Sequence, residues 1–312
     1  MTVSVAEYLG VNVSTGRSIN PNKLGKGSSI PCPFREGSCD KIIKGNKPIC
    51  SVRDGSDQIW IVCEHRLCAT SPKRAALTRY QTDVLMSIAN TIWAVDIDPT
   101  DVAVRREVPV RTTGRSPSSA DYVMIPTPSL RSRYHSAAIG PVVLEMQGGG
   151  ETTNTGALTK QIEFWEQLED ASSRVSELTR PVSSVGTLET NAWRRQQEQF
   201  LYKGSVAVNS FGRLVFVVGA KLYDYLLNNL AGTVMKNLSG ANWTLALIGI
   251  SESQDESGFG TADSIRLAVD SDRLLFTSYM DFVQALTRQG GIDPDLFRGD
   301  FTDLSGQNII VD

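Results

Sequence analysis

The sequence predicts an α/β fold, in which a mixed β-sheet is flanked by helices and preceded by a cysteine-bearing module. Three observations predict it. Strand-like and helix-like runs alternate after about residue 100. All five cysteines lie between Cys32 and Cys68. One strand-like run, Val142 to Gln147, carries polar residues on one face only.

The composition is that of an ordinary globular protein, with 312 residues, 41% of them hydrophobic and 21% charged. A chain of this length buries enough surface to fold without disulfide bonds. A formal net charge of −3 argues against a generic polyanion binder, although a local basic cleft is compatible with it. No apolar run is long enough to span a bilayer, and the N-terminal residues lack the pattern of a secretory signal. We therefore expect a cytoplasmic protein with reduced thiols.

The N-terminal part is predicted to be an arm followed by a small module. The arm covers residues 1–30, with one short helix near Ala6-Glu7-Tyr8-Leu9, and the cysteine module extends to about residue 70. A helix is predicted over residues 73–94, because Leu77, Tyr80 and Val84 begin a run at helical spacing. We accordingly divide the chain into an N-terminal arm with a metal-binding module, 1–70, and a larger domain with a C-terminal extension, 71–312.

The larger domain is predicted to begin with strands and to continue as alternating helices and strands. Residues 126–136 are expected to form a polar loop. Strands are predicted at 102–110, 120–125, 142–147, 213–219, 243–250 and 265–269, and helices at 158–168, 191–202, 222–230 and 274–286.

The clustered cysteines indicate a metal site, because disulfides are not expected in a reducing compartment. Four thiolates around one ion form the tetrahedral site that zinc or iron prefers. The spacings are irregular, and five cysteines leave one over. Cys63 and Cys68, with His65 between them, would alternatively form part of a mixed site. In either case the metal would stabilise a polar segment that has little core of its own.

The run from Val142 to Gln147 carries the candidate catalytic residues. In a strand, Val142, Leu144 and Met146 face the core, and Glu145 and Gln147 face the other side together. With Asp121 on a neighbouring strand, these oxygen ligands suit a hard divalent cation such as Mg²⁺. Such a cation activates water and polarises phosphoryl oxygens, so the pattern predicts phosphodiester cleavage. Asp121 and Glu145 as the acid and base of a glycosidase are the alternative.

Two segments are candidates for DNA contacts. An arginine-rich stretch surrounds Asp121 and includes Arg115 and Arg131. In the predicted helix 191–202, a polar face would read base edges or would simply face solvent. The residues of that face proposed to contact DNA are Asn191, Arg195 and Gln199.

Several pieces of the chain, in the same order, resemble the NotI-type restriction endonucleases, a branch of the PD-(D/E)xK nucleases. The likeness covers roughly residues 30–230. Its pieces are Cys32-Pro33-Phe34, Cys39 with Lys41, Cys50-Ser51-Val52, Trp60-Ile61-Val62-Cys63, Asp121-Tyr122, Val143-Leu144-Glu145-Met146-Gln147, and the stretch from Asn191 through Gln199 to Tyr202-Lys203.

The resemblance implies a type II restriction endonuclease with a PD-(D/E)xK core, which cleaves double-stranded DNA at a short palindromic site as a homodimer. Asp121, Glu145 and the carbonyl of Met146 would bind Mg²⁺, and Gln147 would help to place the attacking water. A cognate DNA methyltransferase would act on the same site. An iron ion, with zinc as the alternative, would be bound by four cysteines and leave Cys68 spare; these are Cys32, Cys39, Cys50 and Cys63.

Gln147 stands where most PD-(D/E)xK nucleases have lysine, although the NotI-type pattern itself has glutamine. Lys160, on the helix that follows, is a candidate to supply the missing charge. Two other functions compete with a restriction enzyme. One is a repair or modification-dependent nuclease of the same core. The other is a non-catalytic DNA-binding protein with a thiolate-bound metal.

Overall fold

A computed structural model describes residues 2–21, 27–68, 76–111, 118–136, 138–230, 235–255, 258–288, 295–302 and 305–311. The strands are β1 (Thr2–Tyr8), β2 (Val11–Asn12), β3 (Ile49–Asp54), β4 (Ile59–Ile61), β5 (Val102–Val110), β6 (Ser118–Pro126), β7 (Val142–Gln147), β8 (Val182–Ser183), β9 (Arg213–Gly219), β10 (Leu245–Glu252), β11 (Leu267–Thr277), β12 (Gly299–Thr302) and β13 (Asn308–Val311). The α-helices are α1 (Asp40–Ile43), α2 (Arg79–Trp93), α3 (Pro128–Arg133), α4 (Thr155–Gln167), α5 (Val175–Leu178), α6 (Glu189–Asn209), α7 (Ala220–Asn229) and α8 (Tyr279–Thr287).

The larger sheet has the strand order β11-β10-β9-β7-β6-β5. The consecutive strands β5, β6 and β7 pair antiparallel, β7, β9 and β10 pair parallel, and β11 closes the sheet antiparallel to β10. Parallel neighbours require crossover connections, which α4, α6 and α7 supply. The predicted mixed α/β class is thus confirmed.

Helices cover both faces of this sheet, so its central strand β9 is buried along its whole length. On one face, α2 packs against Leu144, Met146 and Val215. On the other face, α4, α6, α7 and α8 surround a core that includes Phe216 and Leu247. Because strand side chains alternate, Glu145 and Gln147 point to the face that α6 covers.

The N-terminal segment forms a second sheet, in the order β2-β1-β3-β4, with β8 joining β1 at its other end. The short helix predicted near residues 6–9 is wrong, because residues 6–8 belong to β1. The local sequence Ala-Glu-Tyr-Leu suits a helix, but Val3 and Val5 insert into the core and β1 pairs with β3. Long-range pairing here overrides local propensity.

The second sheet contacts the end of β7 through Gly148, Gly149 and Gly150. A Cβ atom at Gly148 would lie 2.5 Å from the Ile61 side chain, and one at Gly149 would lie 2.7 Å from the Trp60 ring. The Gly150 N–H donates to the Ile61 carbonyl at 3.0 Å. The glycines therefore allow β4 to approach the carboxyl end of β7, beside the candidate catalytic residues.

Most other predicted elements are present with shifted ends. The strand at 213–219 has the predicted bounds, and α2 begins at Arg79 behind a Thr78–Gln81 capping box; residues 73–75 of the predicted helix lie outside the described residues. The strand predicted at 265–269 instead extends to Thr277, so the last helix begins at Tyr279. A short helix, α3, occupies part of the predicted loop at 126–136.

Candidate functional site

Asp121 and Glu145 lie side by side at the point where β6 and β7 stop pairing. The outermost pair in the register is Tyr122 with Leu144, and the next residue on each strand is one of the two acids. Oδ2 of Asp121 accepts a hydrogen bond from the backbone N–H of Met146 at 2.9 Å. The two carboxylates are therefore neighbours on adjacent strands, as their sequence positions predict.

Glu145 forms a buried ion pair with Lys203 of α6. Nζ of Lys203 lies 2.6 Å from Oε2 of Glu145, and the two side chains are 3% and 6% exposed. The second carboxylate oxygen, Oε1, is buried and has no hydrogen-bond partner. One oxygen of Glu145 is thus fixed by the protein, and the other is available to a ligand.

The pKa values of both carboxylates are raised above their ordinary range. Burial and, to a smaller extent, the charge of Asp121 raise the pKa of Glu145 to about 8, and the shift is opposed by Lys203 and by the backbone N–H of Asp121. Burial also raises the pKa of Asp121 to about 6, against the hydrogen bond from Met146 and the charge of Lys203. Two acids with raised pKa values beside one lysine form a cluster that a divalent cation would compensate.

Gln147 is held at both ends of its amide. Its Oε1 accepts a hydrogen bond from Nε2 of Gln196 at 2.7 Å, and its own Nε2 donates to the Gly149 carbonyl at 3.1 Å. The orientation of this amide is therefore set by α6 on one side and by the glycine turn on the other.

Three residues of α6 share the face that covers β7. Gln196, Gln199 and Lys203 follow one another at i, i+3 and i+7, which is one side of a helix. Oε1 of Gln199 is buried without a hydrogen-bond partner. Gln196 was not singled out from the sequence, and Lys203 was named only within the Tyr202-Lys203 piece of the resemblance, without a role of its own. Their helical spacing is the signal that indicates a shared face.

Aromatic packing sets the position of α6 above the sheet. Phe200 stacks on Phe216 of β9 with ring centroids 4.1 Å apart and also contacts Phe282. Gly204 lies directly against Tyr279, where an added Cβ would be 2.3 Å from the ring. The Tyr279 hydroxyl donates to the Leu201 carbonyl at 2.6 Å. These contacts hold the helix where Lys203 reaches Glu145.

A cleft of about 320 Å³ opens at the carboxyl end of β7. Met146, Gln147 and the three glycines form one wall, and Lys41 and Glu64 of the N-terminal module form part of another. Glu64 begins a 3₁₀ turn that follows Cys63. The cysteine module therefore contributes charged side chains to the cleft beside the candidate catalytic strand.

Four cysteines line one cavity of about 130 Å³ in the module: Cys32, Cys39, Cys50 and Cys63. Burial raises the pKa of the Cys32, Cys50 and Cys63 thiols. Backbone N–H groups of Phe34 and Arg35 lower the pKa of Cys32, and the His65 N–H does so for Cys63. N–H groups directed at sulfur stabilise thiolates, the form that binds metal.

No three of these four sulfur atoms, all of which belong to described residues, lie within 4.8 Å of one another. In the described part of the chain, the set of three or more potential ligand atoms within 4.8 Å consists of Asp40, Glu64 and His65. Nε2 of His65 lies 3.0 Å from Oδ2 of Asp40, whose other oxygen pairs with Arg35. This cluster adjoins the cysteine cavity, since Asp40, Glu64 and His65 also line it.

Cys68 lies apart from the cavity lined by the other four cysteines. Its Sγ is 3.6 Å from the hydroxyl of Tyr122 and donates weakly to the Gln81 carbonyl at 3.7 Å. Burial raises the pKa of this thiol to about 12. Cys68 is thus a buried core residue on the α2 side of the larger sheet.

The residues proposed to contact DNA are dispersed. Arg131 is exposed on α3, and Asn191 is exposed at the start of α6. Gln199 is partly buried on the face toward β7. Arg195 belongs to α6, but its side chain, like the whole of Arg115, lies outside the described residues.

No protein-family model matches this chain, and no curated protein is significantly similar to it. In the described ranges, none of the helices has both the length and the apolar character needed to cross a membrane.

Proposed function

We propose that this chain is a type II, site-specific DNA endonuclease with a PD-(D/E)xK core, which hydrolyses double-stranded DNA with Mg²⁺. The observation that carries the proposal is the juxtaposition of Asp121 and Glu145 on adjacent strands, with Gln147 on the same strand face as Glu145.

The residues present fit a divalent cation. Oε1 of Glu145 is a buried oxygen without a partner, and Asp121 brings a second carboxylate beside it. Asp121, Glu145 and the carbonyl of Met146 would hold Mg²⁺ through oxygen atoms. When bound, Mg²⁺ supplies activation of water and neutralises charge that develops on the phosphate.

The protein side chains orient the reacting groups. The Met146 N–H fixes the Asp121 carboxylate, and Gln196 fixes the amide of Gln147. An amide held in this way has one lone pair and one N–H left with which to orient a water for in-line attack on phosphorus. In this proposal the DNA backbone would approach through the cleft that Met146 and Gln147 line at the carboxyl end of β7.

A structural iron or zinc ion in the cysteine module would have to draw the sulfurs together, because no three of them form a set within 4.8 Å. Cys32, Cys39, Cys50 and Cys63 line one cavity, and backbone N–H groups are directed at the sulfurs of Cys32, Cys50 and Cys63. A metal held by these thiolates would stabilise the segment between β2 and β4. Since β4 contacts the glycines after β7, the metal would also keep the module beside the catalytic cleft.

The proposed partner is duplex DNA bound by a homodimer, because a two-fold dimer matches a palindromic site. DNA contacts would come from Arg131 and Asn191, together with Gln199 and the two residues whose side chains are not described, Arg115 and Arg195. A cytoplasmic location and a cognate methyltransferase complete the proposal.

Incubating the protein with Mg²⁺ and a long DNA of known sequence tests this function. Discrete fragments are expected from the wild type, and none from Asp121→Asn or Glu145→Gln, both of which should still bind DNA in Ca²⁺. Glu169→Gln, an exposed acid on the same domain, is the matched control and should cleave normally. Wild-type cleavage rates in either site variant would refute the assignment.

The same assay separates the competing functions. Cleavage confined to methylated or nicked DNA would indicate a modification-dependent or repair nuclease. Tight DNA binding without cleavage in any divalent cation would indicate a non-catalytic protein.

A further inference from the structure

A buried lysine of α6, Lys203, brings a positive charge against Glu145, on a strand that has no lysine of its own. Gln147 is neutral, yet Nζ of Lys203 lies 2.6 Å from Glu145 and is almost fully buried with it. Lys160, the lysine that the sequence offers on α4, is exposed instead. The cation near the two carboxylates therefore comes from a different helix from the one that the sequence indicates.

The contact with Lys203 fixes the orientation of the Glu145 carboxylate. Oε2 is taken by Lys203, and Oε1 is buried with no hydrogen-bond partner. A carboxylate with one oxygen fixed and one vacant has its plane set, so the vacant oxygen is aimed in a constant direction. Buried metal ligands are commonly oriented by such outer hydrogen bonds.

The placement of Lys203 does not depend on the flexible end of a helix. It lies 14 residues after the first residue of α6, which runs from Glu189 to Asn209. Gly204 beside it lets the helix approach Tyr279, and Phe200 one turn earlier stacks on Phe216. The ammonium group is thus carried by a rigid, packed segment, which is the requirement for a positioning group.

We propose that Lys203 is a positioning residue of this site: it holds Oε2 of Glu145 so that Oε1 is presented to a divalent cation shared with Asp121. This inference rests on the proposed function in assigning a cation to the two carboxylates. It extends that function, because it proposes that Lys203 of α6 supplies the positive charge that most PD-(D/E)xK nucleases have on the strand, where this chain has Gln147.

Binding of Mn²⁺ to the full-length protein, measured by electron paramagnetic resonance without DNA, tests the inference. The component lost in Glu145→Gln defines the site. Lys203→Met should weaken that component roughly tenfold or more, as removal of an orienting partner does elsewhere. Lys203→Arg keeps a cationic donor and should therefore retain more of that component than Lys203→Met does. Lys160→Met is the matched control and should bind Mn²⁺ as the wild type does.

Opposite results overturn the inference. A cation beside a metal also repels it, so equal or tighter Mn²⁺ binding in Lys203→Met would show that repulsion outweighs positioning. Absence of any Mn²⁺ component that depends on Glu145 would also refute it. Should Lys203→Met fail to fold by circular dichroism, Lys203→Gln is measured instead, with the same expected weakening.

Failure of the positioning role and failure of the proposed nuclease function give different experimental results. Lys203-dependent Mn²⁺ binding in a protein that cleaves no DNA would refute the nuclease and leave the positioning role intact. DNA cleavage that is unchanged in Lys203→Met would refute the positioning role and leave the nuclease intact.

Discussion

The Asp121 carboxylate of β6 accepts a hydrogen bond from the backbone N–H of Met146 in β7 at 2.9 Å. This bond crosses the gap where the two strands separate, and it fixes one acid beside the other, Glu145, on the neighbouring strand. The carboxylate is held in place at a cost, because burial there raises its pKa to about 6.

Asp121→Asn should stabilise the metal-free protein above pH 6. The folded protein holds the Asp121 proton more tightly than the unfolded chain, so this group lowers stability as the pH rises from about 4 to 6. The amide has no proton to release and keeps an acceptor for the Met146 N–H. With its partial exposure allowed for, the gain is about 1 to 2 kcal/mol at pH 7.5 and near zero at pH 4. Urea unfolding in EDTA across this range measures it, and a gain independent of pH would contradict the assignment.

Gly204→Ala should destabilise the protein and impair the site. The added Cβ would lie 2.3 Å from the Tyr279 ring, so α6 must shift or the ring must move. Overpacking of this kind costs about 1 to 3 kcal/mol. Gly156→Ala in α4 is the control, since nothing lies within 4 Å of its added Cβ. There alanine should be neutral or stabilising through helix propensity. Equal thermal stabilities of the two variants would contradict the packing argument.

Cys50→Ser should abolish binding of the proposed iron or zinc ion, and Cys68→Ser should retain it. Both thiols are buried, but Cys50 lines the cavity with three other cysteines, and Cys68 lies against Tyr122. Elemental analysis of the purified proteins measures the metal content. Loss of metal in Cys68→Ser, or retention in Cys50→Ser, would show that a different set of ligands is used.

Arg66→Met should strongly destabilise the protein, because it removes a fully buried charge partner. Arg66 is fully buried, with Nε 2.8 Å from Oε2 of Glu7 and a second nitrogen bonded to the Tyr80 hydroxyl. Removing one partner leaves the Glu7 charge uncompensated, which costs about 3 to 5 kcal/mol. The exposed pair of Arg17 with Asp263 is the control, and Arg17→Met should cost under about 1 kcal/mol. Chemical unfolding of both variants compares the two costs directly.

Local periodicity was enough to predict the strand 142–147 and the face shared by Glu145 and Gln147. It also predicted most of the other strands and helices, because the alternation of a strand and the spacing of a helix are visible within a short window of sequence. It failed at residues 6–8, where a helix-favouring sequence pairs with β3 instead. Pairing between distant segments has no signal in the local sequence.

The residues that contact Glu145 from other elements were harder to predict from the sequence. Asp121 was identified as the partner acid of Glu145 because it lies in the preceding strand-like run and because the resemblance gives it that role. Lys203 is separated from Glu145 by 58 positions and reaches it only because α6 packs across the sheet. Lys160 is nearer in sequence but faces solvent.

By itself, the sequence determined the α/β class, the strand that carries Glu145 and Gln147, and the clustering of the cysteines. These properties follow from composition and short-range periodicity. Only the tertiary structure decided which lysine meets Glu145, whether the four cysteines that the resemblance implies share a cavity, and what approaches the glycines after β7. Those relationships arise when distant segments pack together. Shape and burial then decide which residues meet, and their separation in the sequence does not.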